Sequence, residues 1–395
     1  MLSEKTVVIG VSSSIAVYKA VNVVRSLKKL GADVHVIMTV NATKLMSPVI
    51  FENLSGNRCS VDTFDRNFQW DVMHIALAKK ADYLVIAPAT ANVISKIASG
   101  ICDDMLTTTV SAMPCGKMIV PAMNTVMYEN PIIQGNIEKL KSLGYRFLEP
   151  ETGMLANGDI GKGRFPDEDL IVEAIVGEVA FEKDLAGKNV LVSAGATVEA
   201  IDPVRFISNR STGKMGYEVA RAAWHRGANV TLVLGENRLS IPKLGGMDIV
   251  QVSTAQQMQS AMEARFGDAN ITVMAAAVAD YRPAKRSEQK IKKQGQSLEL
   301  VLIPNADILL GLGKRKRADQ KLCGFAMETE NLLDNARQKL EAKNLDMIVA
   351  NDLTTEGAGF AVDTNVVTII TPSNAELLEK QTKSAIAHIL LDRLK

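Results

Sequence analysis

The apolar positions of the chain spell one phrase twice. Thr6-Val7-Val8-Ile9-Gly10 is a short β-branched run ending in glycine. Val17, Ala20, Val24 and Leu27 then recur at helical spacing, which gives a helix with one buried face. Gly31 closes that stretch, and residues 32–38 resume as a strand. The phrase returns at residues 189–193, which run into Gly195. A helix with Met215, Val219 and Ala222 on one face follows and ends at Gly227, and residues 228–234 are again a strand. Strand, turn, helix, glycine, strand is a βαβ unit whose crossover implies a parallel sheet. Further continuous apolar runs, at 83–87 and 117–120 and then at 271–277, 346–350 and 366–371, suit strands covered on both faces.

The pattern predicts an α/β fold of two Rossmann-like domains, each a mainly parallel sheet flanked by helices. The helical pattern at 170–179 gives way to Glu, Lys, Asp and Gly at 181–188. The expected domains are therefore 1–186 and 187–395. The length of 395 residues fits two or three domains at about 150 residues each. Lys+Arg total 45 against 44 Asp+Glu, so no global polycation is present to hold a nucleic acid. No apolar run is long enough to span a bilayer. Cys59, Cys102, Cys115 and Cys323 are dispersed and form no C-x-x-C pair, which fits a reducing compartment and predicts a cytoplasmic protein.

Ligands of open α/β sheets bind beyond the carboxyl ends of the strands, so the residues that follow each strand carry the candidate chemistry. Residues 10–15, Gly-Val-Ser-Ser-Ser-Ile, lack G-x-G-x-x-G. They suit a single phosphate at a helix N-terminus, or an ordinary serine N-cap. Residues 88–92 and a further polar turn, the threonines at 107–109, add hydroxyl and amide groups near the expected strand ends. His74, in the segment Asp71 to Ile75, is read either as a catalyst or as a capping and packing residue.

Four segments together carry a resemblance: Gly-Val-Ser-x-x-Ile-Ala-x-Tyr-Lys at 10–19, His74, Ala-Pro-Ala-Thr-Ala-Asn at 87–92, and Pro-Ala-Met-Asn-x-x-Met-Tyr at 121–128. They resemble the homo-oligomeric flavin-containing cysteine decarboxylases, phosphopantothenoylcysteine decarboxylases in particular. The resemblance implies FMN as the electron sink for loss of CO2. It implies His74 as base and Asn124 as holder of the substrate carboxylate. It sets Gly10, Ser12, Ser14, Thr39, Ala89, Thr90 and Asn92 against FMN. Residues 153–164 resemble that family's substrate clamp, except that the family's proton-donating cysteine is replaced by Asn157. A carboxamide is not a usable acid near neutral pH. Either Asn157 positions a water or another donor and turnover is complete, or the reaction stops at the oxidised enethiol.

In the second half, residues 196–216 are dense in small and basic residues ahead of a helix, which suits an anion site or a solvated loop. A basic run at 282–293 follows Asp280 and reads as a solvated face or as a loop closing over a polyphosphate. The basic cluster at 314–317 reads as surface. Asp-Pro-Val-Arg-Phe-Ile-Ser-Asn-Arg-Ser-Thr-Gly-Lys-Met-Gly at 202–216 and Ala-Ala-Val-Ala-Asp-Tyr at 276–281 resemble phosphopantothenate–cysteine ligases. So do Lys-Ile-Lys-Lys at 290–293, Gly-Phe-Ala-x-Glu-Thr at 324–329, and Lys339 with Lys343 before Asn-Leu-Asp at 344–346. Where that family has Asn-Pro-Asp, this chain has Asn305-Ala306-Asp307.

The resemblance implies a CTP-dependent ligation through an acyl-cytidylate, with Mg2+ held mainly by the CTP phosphates. Lys290 would neutralise the α-phosphate, and Asn209 with Arg205 would bind the acyl intermediate. Met274, Ala275, Ala276, Asp280, Lys290, Pro304, Asn305, Ala306, Asp307, Phe325, Lys339 and Lys343 would contact CTP. The ligase product is the decarboxylase substrate, so the expectation is a bifunctional enzyme of coenzyme A biosynthesis. Its partners would be 4′-phosphopantothenate, cysteine and CTP, with no nucleic acid and no membrane. Decarboxylase trimers and ligase dimers are implied. The competing expectations are an active ligase fused to an oxidative decarboxylase, and a flavin- and nucleotide-binding protein without turnover.

Overall fold

The computed structural model describes residues 1–64, 72–236, 244–293, 295, 298–328, 332–352 and 362–395. One compact unit runs from Met1 to Phe181, and a second takes most of the chain from Glu182 onward. The division falls a few residues before the expected boundary at 186, because residues 184 and 185 belong to the second core. Leu185 is buried and donates its N–H to Arg226 O at 3.1 Å. Asp184 accepts from Arg226 Nε at 2.7 Å, and that guanidinium holds its carboxyl well below the usual carboxylate range.

In the first unit, β1 (Thr6–Val11), β2 (Asp33–Met38), β3 (Tyr83–Ala89), β4 (Gly116–Pro121) and β5 (Arg146–Phe147) form one parallel sheet in the order β2-β1-β3-β4-β5. β1 and β3 are buried along their whole length, as their unbroken apolar runs require for strands covered on both faces. Helix Val17–Lys29 buries Val17, Ala20, Val23, Val24 and Leu27. Lys28 and Lys29 sit in its last turn, where the helix dipole favours cations. The chain passes from β1 to β2 on one side and then crosses to β3 on the other, so the topological switch point lies between β1 and β3.

An antiparallel hairpin, β6 (Glu151–Met154) and β7 (Ile160–Arg164), stands apart from that sheet. It covers the segment after β4 by a close backbone approach: Met123 N donates to Gly163 O at 3.1 Å. A Cβ on Gly163 would stand 2.2 Å from Met123 O, and one on Gly161 would stand 2.2 Å from Thr125 Oγ1. Only glycine permits that seating.

The second unit is built on β8 (Asn189–Ala194), with a small pair β9 (Val198–Ala200) and β10 (Phe206–Ser208) inserted before helix Lys214–His225. Then come β11 (Asn229–Leu234), β12 (Met247–Gln251), β13 (Ile271–Met274), the pair β14 (Tyr281–Pro283) and β15 (Leu302–Pro304), β16 (Lys321–Glu328), β17 (Met347–Asp352), β18 (Thr364–Ile370) and β19 (Ala375–Thr382). The main sheet has the order β12-β11-β8-β13-β16-β17-β18-β19. It is parallel through β17 and antiparallel across β18 and β19. Its switch point lies between β8 and β13. Helix Lys214–His225 lies directly on β8: a Cβ at Gly216 would meet Ser193 O and Ala194 Cβ at 2.6 Å. Both units are thus Rossmann-like α/β domains.

Two expectations are corrected. The strand expected over 271–277 stops at Met274, because Ala276 N donates to the Ser193 side chain instead of to a backbone carbonyl of β8, and only an isolated bridge at Ala277 follows. The threonines at 107–109 do not form a turn at the site. They lie in helix Met105–Ala112, where Thr107 completes a capping box with Asp104 and Thr109 donates to Met105 O at 2.6 Å.

Candidate functional sites

In the first unit the strand ends open into a cavity of about 730 Å3. Ser14 and Thr90 line it from the ends of β1 and β3, Asn124 from the end of β4, and Asn157 from the hairpin tip. Two helix N-termini meet there. Ala16 and Thr90 are the N-cap residues of helices Val17–Lys29 and Ala91–Ala98, and neither end is satisfied by a capping side chain. At the first of these Ser14 already accepts from Ala16 N through Oγ at 3.3 Å and from Val17 N through its carbonyl at 3.0 Å. The start of helix Ala91–Ala98, with the nearby serine and threonine hydroxyls, fits an anionic cofactor such as a flavin phosphate.

Ser12 stands behind this wall, not in it. It is fully buried, donates to Pro88 O at 2.8 Å and accepts from Thr90 N at 2.9 Å. Its hydroxyl is consumed in tying β1 to β3 and in setting Thr90. Thr39 caps the short helix Val40–Thr43, accepting from Ala42 N at 3.2 Å. Ala89 is buried, and its carbonyl accepts from Ala122 N at 3.0 Å. Gly10 lies inside β1, where a Cβ would stand 2.5 Å from Leu106 Cδ1. Asn92 is exposed on helix Ala91–Ala98. None of these five residues lines the cavity.

Asn124 caps the helix Thr125–Tyr128 through Oδ1, which accepts from Val126 N at 2.9 Å. Its Nδ2 makes no hydrogen bond to the described residues, so one donor remains for a carboxylate. Asn157 is committed: Nδ2 donates to Asp159 Oδ2 at 2.5 Å and Oδ1 accepts from Asp159 N at 3.3 Å. His74 lies on helix Met73–Lys80, partly exposed, and does not line the cavity. Asp71 lies outside the described residues.

The second unit opens at its own strand ends. A cavity of about 360 Å3 gathers Asn209, Met274, Ala276, Asp280, Asn305, Ala306, Asp307, Phe325, Lys339 and Lys343. Asn305 is fixed by three bonds: Nδ2 to Ala279 O at 2.8 Å, its N–H to Asp280 O at 2.7 Å, and Oδ1 accepting from Arg282 Nη1 at 2.7 Å. Asp307 caps helix Ile308–Arg315 and pairs with Lys343 at 2.8 Å. Burial pushes the Asp307 carboxyl up, but the Lys343 ammonium and the Leu310 N–H outweigh it and hold the group below its ordinary range. Asn209 reaches the loop after β13, donating from Nδ2 to Ala277 O at 3.1 Å.

Arg205 and Lys290 lie outside this cavity. Arg205 donates to Asp202 Oδ2 through Nε and Nη2, at 2.9 and 2.6 Å, and to Ile291 O at 2.6 Å. Asp202 also accepts from Val204, Arg205 and Ile291 N–H groups. Burial alone would raise its pKa, but these donors hold it well below the ordinary range. The basic segment that carries Lys290 is thereby pinned to the loop at 202–205. Pro304 lies at the end of β15, where its carbonyl accepts from Arg282 Nη1 at 3.0 Å.

Ala275 lines a second, smaller cleft of about 110 Å3, together with Ala276, Phe325, Lys214, Asn351, Asn365 and Lys383. The last three were not foreseen. Asn351 falls at the end of buried β17, the place that the strand-end rule marks. Lys383, 3% exposed, starts the last helix and carries no sequence signal. Burial, with the Lys214 ammonium nearby, pushes its amine below the usual lysine range. Thr329 lies outside the described residues.

Two α/β units, each with a cleft at the carboxyl ends of β-strands beside its topological switch point, define a pair of ligand-binding domains of the Rossmann-like kind. A family model described as "Flavoprotein" matches residues 1–180, and one described as "DNA/pantothenate metabolism flavoprotein C-terminal domain" matches residues 185–395. The coenzyme A biosynthesis bifunctional protein CoaBC of Bacillus subtilis (strain 168) is 46% identical over 371 residues, covering 93% of this chain and 91% of that protein. That of Borreliella burgdorferi is 40% identical over 393 residues, covering 99% of each chain. That of Escherichia coli (strain K12) is 40% identical over 396 residues, covering 100% of this chain and 97% of that protein. The chain belongs to this family: it is a bifunctional enzyme of coenzyme A biosynthesis, with a flavoprotein decarboxylase domain and a ligase domain. Among the described residues, no helix is long and apolar enough to cross a membrane.

Proposed function

We propose that the second unit joins 4′-phosphopantothenate to cysteine at the expense of CTP, and that the first unit decarboxylates the product to 4′-phosphopantetheine. The observation that carries the reading is the convergence of Ser14, Thr90, Asn124 and Asn157 on one cavity at the carboxyl ends of β1, β3 and β4. Bound FMN would supply an electron sink, taking two electrons from the thiol-bearing carbon before CO2 leaves and returning them afterwards. Ser14, Thr90 and the start of helix Ala91–Ala98 would hold its phosphate and polar edge, with Ser12 fixing Thr90. Asn124 would orient the substrate carboxylate through Nδ2. His74 would serve as base.

The hairpin closes over this place, and Asn157 acts in it as a positioning group. Its carboxamide cannot donate the final proton, so a water or another donor must. Turnover to the saturated thiol is the reading favoured, because the hairpin keeps its glycine seating on Met123 and Thr125.

In the second unit the phosphopantothenate carboxylate would attack the α-phosphorus of CTP, releasing pyrophosphate, and the cysteine amine would then displace CMP. Asp280, Phe325, Lys339 and Lys343 line the cavity that would take CTP, with Mg2+ held mainly by its phosphates. Lys290 would neutralise the α-phosphate, and Asn209 and Arg205 would hold the acyl intermediate. His74 and Lys290 both lie outside their own unit's cavity, which supports homo-oligomers in which a second copy completes each site.

The test is incubation of purified protein with 4′-phosphopantothenate, CTP, Mg2+ and cysteine, with mass analysis of every product. Pyrophosphate, CMP, CO2 and the saturated thiol are expected. A product lacking two hydrogens would overturn complete turnover. Absence of pyrophosphate would overturn the ligase reading.

A further inference from the structure

Two cationic side chains line the cavity of the first unit, Lys19 and Arg164. Lys19 is already compensated: it pairs with Glu168 at 3.6 Å and lies 6.0 Å from the centre of the Phe165 ring. The other basic side chain of β7, Lys162, is taken by Glu149 at 2.8 Å. The Arg164 guanidinium makes no hydrogen bond or ion pair to any described residue. Its guanidinium lies across Gly153 on the facing strand, where a Cβ would stand 3.0 Å from Nη1. Gly153 therefore leaves the space that this fork occupies.

Much of the neighbouring wall is apolar, with Ile15, Met127, Met154, Leu155 and Phe165. A planar fork without a carboxylate partner, set in such a wall, suits a ligand that brings its own anion. We propose that Arg164 receives the phosphate at the far end of the decarboxylase substrate, and so makes the first unit select phosphorylated over dephosphorylated substrate. The inference rests on the decarboxylase reading above.

The substrate has two anionic ends, and chemistry assigns them. Charge on the carboxylate is lost as CO2 departs. A guanidinium paired to it would stabilise the ground state more than the transition state and slow the step. Neutral Asn124 suits that end. The terminal phosphate keeps its charge throughout, so Arg164 can bind it without opposing the reaction. The start of helix Ala91–Ala98, which no side chain caps, provides separately for a flavin phosphate.

The experiment compares decarboxylation of phosphopantothenoylcysteine and its dephospho form by the flavin-loaded full chain, in wild type, Arg164→Gln and Gly153→Ala, with flavin content measured by absorbance. Wild type is expected to favour the phosphorylated substrate. Arg164→Gln should raise KM for that substrate about tenfold or more, with kcat and flavin content unchanged and the dephospho substrate unaffected. Gly153→Ala keeps the charge but displaces the fork, and should shift the same KM in the same direction. Equal effects on both substrates would place Arg164 at their shared end and overturn the proposal, as would a wild type indifferent to the phosphate. A wild type that decarboxylates neither substrate would overturn the decarboxylase reading itself, and the proposal with it.

Discussion

The two switch points solve one geometrical problem differently. Between β1 and β3 the side-chain link is a single buried hydroxyl, Ser12, set between Pro88 O and Thr90 N. Between β8 and β13 the chain is laced repeatedly. Ala276 N donates to Ser193 Oγ at 3.2 Å, Ala277 N to Gly195 O at 3.0 Å, Thr197 N to Ala277 O at 3.2 Å, and Ala279 N to Thr197 Oγ1 at 2.9 Å. The first unit is left with a roomy cavity of hydroxyls, carboxamides and apolar side chains. The second is left with smaller clefts, the larger of them lined by the pair Lys343–Asp307. A site for a flat cofactor and a departing carboxylate needs few fixed charges. The proposed polyphosphate needs cations, and here Lys343 is held against a carboxylate.

The largest expected effect comes from crossing the two sites. Lys290→Ala should remove pyrophosphate release while decarboxylation of supplied phosphopantothenoylcysteine continues. Asn124→Ala should do the reverse, lowering decarboxylation by about 10²–10³-fold, the scale expected for removing one preorganised donor. Each variant serves as the folding control for the other's unit. If either substitution impairs both reactions equally, the units do not act as separate catalysts. Undiminished pyrophosphate release in Lys290→Ala would remove that residue from the α-phosphate.

A smaller effect tests the link itself. Ser12→Ala leaves the Thr90 N–H without its acceptor and should cost about 1–3 kcal/mol, read as an earlier thermal transition of the flavin signal. Because Thr90 sits on the cavity wall, flavin retention should fall with it. Ser193→Ala also leaves one N–H without its acceptor, but the other three bonds across β8 and β13 remain, so pyrophosphate release should persist. Loss of flavin in Ser193→Ala, or its full retention in Ser12→Ala, would break the contrast.

The parallel architecture was legible because buried strands and one-faced helices write themselves in apolar spacing, as at 6–10 and 17–27. The strand-end rule pointed to Thr90 and Asn124, which follow the ends of β3 and β4 and line the first cavity; Asp280 lines the second although β13 stops at Met274. It misplaced the threonines at 107–109, since their hydroxyls serve a capping box and a helical carbonyl and give no apolar pattern to betray a helix. It overran β13, because the alanines at 275–277 read as strand while their N–H groups bond to the end of β8. The resemblance set Ser12 against FMN; the sequence shows its hydroxyl but not that Pro88 O and Thr90 N use it. Lys383 was invisible: a lysine at a helix start reads as solvent-exposed, and only tertiary packing buries it.

The smallest effect concerns acid. Asp202 anchors the segment that carries Lys290, and its pKa is held below the unfolded value of about 3.9. A carboxylate depressed on folding contributes stability that is fully present above its unfolded pKa and is lost as pH falls toward the folded one. Asp33 of the first unit is depressed too: burial raises its pKa, while Lys80 and Asn57 outweigh burial. Asp33, however, starts β2, at the end of the sheet away from the cavity. Acidification should therefore loosen the segment at 285–293 directly; in the first unit Glu149, whose depressed carboxyl holds Lys162 of the hairpin, is open to the same loss. Protease cleavage near residues 285–293, followed between neutral pH and about pH 3, should rise in wild type as pH falls through the carboxylate range. In Asp202→Asn, which cannot carry the charge, cleavage should already be elevated at neutral pH and nearly independent of pH. A wild-type profile that is flat through that range would show that the bonds of Asp202 do not hold the segment.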